Sequence, residues 1–286
     1  MFVRRQLLRT ALAGGAASLL ATTHSSAAQV ADAALEVIDT HVNLFHWPCR
    51  RLPLDEPDKL IAHYRHLGIT QAWAGSFEGL LHRDVAAVNH RLAEACKAFG
   101  ELRPVGSINL SLPDWQSDVR RCREQHGCHA VRLHPNYHGY TLADPSVAQL
   151  LELTADWGML IQIAVCMEDV RTQHPLLQVA DVDWTPLPAL LRQKPPARVQ
   201  LLGARLTARQ LASLAAVPNL YVDTARAEGI DGVQRLVRGL PAGRVWFASH
   251  APFLIPEAAL IRVGEGDLNA DEIQAVLSSN VRAALS

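Results

Sequence analysis

No run of like charges interrupts this sequence of 286 residues: 27 Lys and Arg stand against 28 Asp and Glu, a formal net charge of −1. Without a basic stripe there is nothing to hold a phosphate backbone, so nucleic acid is excluded as a partner. The five cysteines contain no Cys-x-x-Cys pair, which excludes a zinc finger, and their odd number does not describe a disulfide framework. Cys122 and Cys128 are the one close pair, and free thiols are expected. No Gly-x-Gly-x-x-Gly follows a strand-like run, so the dinucleotide-binding turn is missing. No Gly-x-Ser-x-Gly is present either, which argues against a serine nucleophile elbow. No apolar run reaches the roughly 20 residues of a membrane span. What remains is 49% hydrophobic residues, evenly spread, with 17 Gly and 16 Pro, the mixture of a folded chain of domain size.

Residues 1–28 differ from all that follows. Arg4-Arg5-Gln6-Leu7-Leu8-Arg9 is basic, Thr10 to Ala21 is small and apolar, and Ser26-Ala27-Ala28 has a small-x-small cleavage pattern. That is the order of an export signal. Paired arginines before a Gly-containing, weakly hydrophobic core resemble a twin-arginine signal, whose pathway carries folded proteins. The expectation is an exported, periplasmic protein whose mature domain spans residues 29–286 and has no membrane span. Without Arg4, Arg5 and Arg9 that body holds 24 basic residues against 28 acidic, and is mildly acidic.

From Leu35 the chain repeats one theme: a short apolar run ends in polar residues, and a helical pattern follows. The runs are Leu35–Thr40, Ile69–Ala74, Leu102–Asn109, Ala130–Leu133, Met159–Val165, Arg198–Leu202, Leu220–Asp223 and Arg244–Ser249. The helical stretches are Pro57–Leu67, Arg83–Phe99, Asp114–His126, Pro145–Trp157, Pro186–Gln193, Ala208–Ala216, Gly232–Leu240 and Asp271–Leu285. Alternation of this kind predicts parallel strands joined by helical crossovers, and eight units predict a single (β/α)8 TIM barrel of α/β class. In such a barrel the chemistry sits just after the strands, so His41, His46, His134, His138, His174 and His250 become candidates. The His63-x-x-His66 spacing falls within a helix and reads as solvated surface.

The first run continues Val37-Ile38-Asp39-Thr40-His41-Val42-Asn43, where His41 and Asn43 share one side of a strand. The segment resembles the strand-1 signature of the amidohydrolase superfamily, in which a His-x-His pair opens a metal site. The last run, Val245-Trp246-Phe247-Ala248-Ser249-His250-Ala251-Pro252, is similar to that family's closing phrase, usually Gly-Ser-Asp-x-Pro, and Asn280 falls in a segment resembling its final helix. The amidohydrolase-2 branch fits best, the group of aminocarboxymuconate-semialdehyde decarboxylase-like and pyrone-dicarboxylate lactonase-like enzymes. The resemblance implies a divalent metal, Zn being suited to imidazole, held by His41, Asn43 and His250. The chain departs from the pattern at four positions. Asn43 replaces the second His, His250 replaces the strand-8 Asp, and Cys166 and the Gly203-Ala204 step replace the His ligands of strands 5 and 6. Asp39 is expected to orient a neighbouring His.

Other polar groups collect on the same face. Arg132 and His134 lie two apart and suit a substrate carboxylate with a base beside it, near Tyr137 and His138. After the fifth run come Glu168, Arg171 and His174, and Asp223 ends the seventh. The expected assignment is His134, His250, Glu168 and Asp223 as catalytic residues, with Arg132, Tyr137, His138, Arg171 and His174 binding substrate. Cys166 follows an apolar run and reads as an inert buried thiol. The leading expectation is a hydrolase for a small carboxylated ester, lactone or amide, working with a metal or without one. The alternatives are a decarboxylase of the same branch and an inactive barrel that binds a small molecule. Homo-oligomerisation stays open.

Overall fold

A computed structural model describes residues 35–193 and 196–285 of the chain. Eight parallel strands neighbour one another in chain order. They are β1 (Ile38–Leu44), β2 (Gln71–Ser76), β3 (Leu102–Ile108), β4 (Ala130–Leu133), β5 (Leu160–Ala164), β6 (Arg198–Leu202), β7 (Leu220–Asp223) and β8 (Val245–Trp246). The gap between first and last strand is bridged by Thr40 N–H to the Phe247 carbonyl at 3.1 Å and Asn43 N–H to the Ala251 carbonyl at 2.9 Å. The expected TIM barrel is therefore present. Between the strands run α1 (Pro57–Leu67), α2 (Val85–Lys97), α3 (Trp115–Glu124), α4 (Pro145–Asp156), α5 (Leu187–Gln193), α6 (Ala208–Ala215) and α7 (Gly232–Gly239). Their starts follow local chemistry: Pro57 and Pro145 open α1 and α4, Asp84 caps α2, and Thr207 with Gln210 forms a capping box on α6.

Three features depart from the sequence reading. Strand β1 runs on to Leu44, with a register shift between Asp39 and Val42, so His41 and Asn43 lie inside the strand. A helix the apolar pattern did not separate, α8 (Pro256–Glu265), follows β8. The final helix is broken into Ala270–Gln274, a π turn at Ala275–Ser279, and Asn280–Leu285. The wide turn leaves the Val276 carbonyl to accept the Phe247 N–H at 2.9 Å, which ties the tail to the barrel just past β8. Asn280 does the same through its side chain, donating to the Val245 carbonyl at 2.9 Å.

The barrel interior is layered, because inward side chains recur every second residue. The floor is apolar: Ile38, Trp73, Val105, Ala130, Leu160, Tyr221 and Trp246 pack together. The layer above it is polar. Arg132, Gln162 and Gln200 stand in register on β4, β5 and β6. Gln162 accepts from Arg132 at 2.9 Å and donates to Gln200 and to the Thr40 carbonyl, both at 2.8 Å. Gln200 donates to the Thr40 hydroxyl at 2.8 Å, and that hydroxyl donates to the Phe247 carbonyl. Above this layer lies the mouth.

Candidate active site

Asp223 closes β7 with its carboxylate fully buried. Its oxygens accept the Gly203 N–H at 3.0 Å, and Oδ2 lies 2.9 Å from His41 Nδ1. Gly203 has φ +64°, and a Cβ there would crowd the Cys166 carbonyl, so glycine is required at this approach. His41 Nε2 lies 2.7 Å from His250 Nδ1, and His250 Nε2 lies 2.7 Å from the Met167 carbonyl. His250 Nδ1 also lies 3.1 Å from His41 Nδ1, and the two rings meet edge-on at 4.1 Å between centres, so Asp223, His41, His250 and the Met167 carbonyl make a compact buried line.

A carbonyl only accepts, so His250 Nε2 carries the hydrogen of its contact with Met167. Desolvation raises Asp223 to about 6, against the opposing Gly203 hydrogen bond, while desolvation and the charges of Arg132 and Arg226 push His41 well below its ordinary value. His250 is pushed down by burial and by His41. It also sits at φ +57°, a left-handed conformation that costs a non-glycine residue about 1–2 kcal/mol.

A second buried carboxylate braces this line. Asp39 accepts from Tyr64 at 2.6 Å, from the Ser249 N–H at 3.0 Å and from the His41 N–H at 3.1 Å. It fixes the backbone of His41 and of the residue before His250, while Asp223 orients the His41 ring. Desolvation raises Asp39 to about 6, opposed by its bonds from Ser249 and Tyr64.

His134, at the end of β4, is 1% exposed, and neither ring nitrogen has a hydrogen-bond partner. Burial pushes its pKa well below the usual value, as do His138, Arg132 and His41. Unpaired buried polar atoms are costly, and this end of the barrel holds others: Asn43 Nδ2, Trp47 Nε1, the Tyr137 hydroxyl and His138 Nδ1, the last on a ring 5.9 Å from that of His134. An aromatic roof is built from the segments that follow the strands. Trp47 meets Phe253 at 4.9 Å, Phe77 at 5.3 Å and Tyr137 at 6.2 Å between ring centres, and Phe253 stacks on His250 at 5.3 Å. Arg50 latches the roof by pairing with the buried Glu168 and lying over the Phe253 ring. A cavity of about 480 Å³, lined by Phe45, His46, Phe77, Glu78 and His82, opens beside it.

The structure brings His41, Asn43, Arg132, His134, Tyr137, His138, Asp223 and His250 together at the mouth, and corrects several expected roles. Arg132 is fully buried and spends its guanidinium on Gln162, on Asn43 Oδ1 at 2.8 Å and on the Val42 carbonyl at 3.0 Å, so it is not a surface clamp for a carboxylate. Glu168 is committed to Arg50 and serves the latch rather than the chemistry. Arg171 points outward, bonded to Asp169, and His174 lies exposed in a turn where its Nδ1 accepts the Leu176 N–H. His63 pairs with Glu257 at 2.8 Å on the outside. The Cys166 thiol is buried and pushed up to about 11 by desolvation, in line with an inert role.

The implied metal does not fit the donor atoms present. His41 has both nitrogens engaged, His250 Nε2 donates to a carbonyl, and Asn43 turns its oxygen to Arg132 and its N–H₂ elsewhere. Among the described residues no group of three His, Cys, Asp or Glu is arranged to hold an ion. The sequence reading missed Gln162, Gln200, Tyr64, Ser249 and Arg50. A glutamine in the middle of an otherwise apolar strand was the signal available for the first two.

No family model and no curated protein matches the sequence. Solved structures match in fold. The 2,6-dihydroxybenzoate decarboxylase from Rhizobium aligns at a TM-score of 0.70 and 12% identity, over 87% of this chain and 98% of its own. The 5-carboxyvanillate decarboxylase from Novosphingobium aromaticivorans, complexed with manganese and 4-hydroxy-3-methoxy-5-nitrobenzoic acid, aligns at 0.67 and 13%, over 87% and 96%. An uncharacterized TIM-barrel protein from Bordetella bronchiseptica gives 0.63 and 15%, over 88% and 98%. The chain shares its TIM-barrel fold with these neighbours, and at these identities the likeness is one of fold.

Proposed function

We propose that this chain is an enzyme that removes carbon dioxide from a small planar carboxylic acid held under the aromatic roof. The carrying observation is His134, a buried imidazole just past β4 with both nitrogens unpartnered, its ring centre 5.9 Å from that of His138. A low-pKa imidazole is a strong acid once protonated, which suits donation to carbon. In the reaction the His134 imidazolium gives its proton to the ring carbon that bears the carboxylate. The bond from that carbon to the carboxyl group then breaks, its electron pair restores the ring, carbon dioxide leaves, and solvent returns a proton to His134. Asn43 Nδ2, Trp47 Nε1 and the Tyr137 hydroxyl are the free donors for the substrate's oxygens. The Asp223–His41–His250 line positions the mouth.

Hydrolysis, the leading expectation from the sequence, needs water beside a carbonyl, and the roof of hydrophobic rings works against that. The decarboxylase alternative also has the better support among the structural neighbours. Incubating the mature protein with hydroxybenzoates and, in parallel, with aryl esters and lactones separates the readings. Carbon dioxide release without ester or lactone cleavage is expected; the reverse pattern overturns the proposal, and no turnover of either kind favours a binding role. The twin-arginine signal lies outside the described residues, and periplasmic location is part of this proposal. No described helix is long and apolar enough to cross a membrane.

A further inference from the structure

We infer that the guanidinium of Arg132 supplies, from inside the barrel, the fixed positive charge that a divalent metal would otherwise bring to this mouth, so that the site binds its anionic ligand without a metal. Three observations converge. Arg132 reaches from β4 across the interior to β1, where Nη1 donates to Asn43 Oδ1 at 2.8 Å and to the Val42 carbonyl at 3.0 Å. That contact consumes the acceptor at one expected ligand position and turns an amide N–H₂, a donor that no cation can use, away from the guanidinium. The space is built for the cation: Gly75, paired with Asn43 on the neighbouring strand, has no side chain, and a Cβ there would overlap the guanidinium.

Among the described residues no carboxylate touches the guanidinium, whose partners are amides and carbonyls; Asp223 and Asp39 act on it only through space. The two buried carboxylates, Asp39 and Asp223, are each held by hydrogen bonds of their own. In a water-poor interior a fixed cation at this depth attracts an anion above it with no reorganisation. An arginine keeps that charge at every working pH, and its planar fork meets Gln162, Asn43 and two strand carbonyls at once, which a lysine ammonium does less completely.

This inference rests on the mouth being the ligand site, and its test separates the two ideas. Protein purified without chelator or metal-affinity resin is titrated calorimetrically with ZnCl₂ and MnCl₂, and its metal content is measured by elemental analysis. The expected result is neither stoichiometric metal nor saturable uptake. One equivalent of metal lost in His41→Ala would overturn the inference whether or not any substrate is turned over. The second arm follows 2,6-dihydroxybenzoate binding by calorimetry in wild type, Arg132→Gln and Arg132→Lys. A loss of affinity of tenfold or more in Arg132→Gln, with Arg132→Lys retaining most of it, is expected. Equal affinity in folded Arg132→Gln, or an equal loss in both variants, would assign the arginine a purely structural role. If Arg132→Gln does not fold, Arg132→Lys and the metal titration decide.

Discussion

The floor and the mouth of the barrel are built by the same strands and obey opposite rules. On β4 the inward positions climb from Ala130 to Arg132 and then His134 just beyond the strand; on β8 they climb from Trp246 to Ala248 and then His250. At the floor, Trp246 stacks on Tyr221 at 4.2 Å and meets Trp73 edge-on at 5.8 Å, so the space is filled by apolar surface. Two to four residues higher the chain buries an arginine, two carboxylates and three imidazoles, and leaves His134 without a hydrogen bond. The floor lowers the free energy of the fold. The mouth raises it, and a cluster retained at such a cost marks where the chemistry belongs.

Substitutions at matched depths sharpen this contrast. His134→Leu is expected to lower turnover by on the order of 10²–10⁴-fold in a carbon dioxide assay. Its melting temperature should stay unchanged or rise, because an apolar side chain replaces an unpartnered polar one. Trp246→Ala should do the reverse, removing about 3–5 kcal/mol of stability in a denaturant titration and leaving the ligand groups in place if the barrel still closes.

Asp223→Asn tests the buried line at the mouth. The folded pKa of Asp223 is raised to about 6 from an ordinary 3.8, so its stabilising effect is full below about pH 4 and is lost as pH rises through about 6. Asparagine donates to His41 at every pH. The variant should therefore gain on the order of 2 kcal/mol over wild type between pH 4 and pH 7, read as a difference in denaturant midpoints. Asp39, raised to a similar value, is present in both proteins and cancels. A flat difference would contradict the raised value of the buried Asp223 carboxyl. Arg50→Ala leaves the buried Glu168 carboxylate without its half-exposed partner and is expected to cost on the order of 1–3 kcal/mol in a denaturant titration. Its signature is kinetic: faster ligand entry and exit in stopped-flow fluorescence, as the latch on Glu168 is removed.

Much of the frame was legible because local patterns and barrel geometry agree. Ala130–Leu133, Arg198–Leu202 and Leu220–Asp223 form strands with the bounds their apolar runs suggest, and Pro57–Leu67 is a helix from its proline to the residue before Gly68. The pairing of His41 with His250 followed from the adjacency of first and last strands, and Asp223 joined them from β7. What escaped was long-range partnering. Arg132 looked like a free clamp because its neighbour in sequence is His134; its actual partners sit on β1, β2 and β5. Glu168 looked catalytic until Arg50, over a hundred residues earlier, was seen to take its carboxylate. Loop residues such as Arg171 and His174 carry no pattern that tells inward from outward, and both turned outward. The composition of a loop does not encode its direction.

The most direct test of the account is the fate of the proton. Turnover of a hydroxybenzoate in D₂O, followed by mass spectrometry of the product, should place one deuterium on the carbon that lost carbon dioxide, and folded His134→Leu should form no such product above background. Full-rate labelled product from that variant would contradict the assignment of His134, and product formed by ester or lactone cleavage, with carbon dioxide absent, would contradict decarboxylation itself.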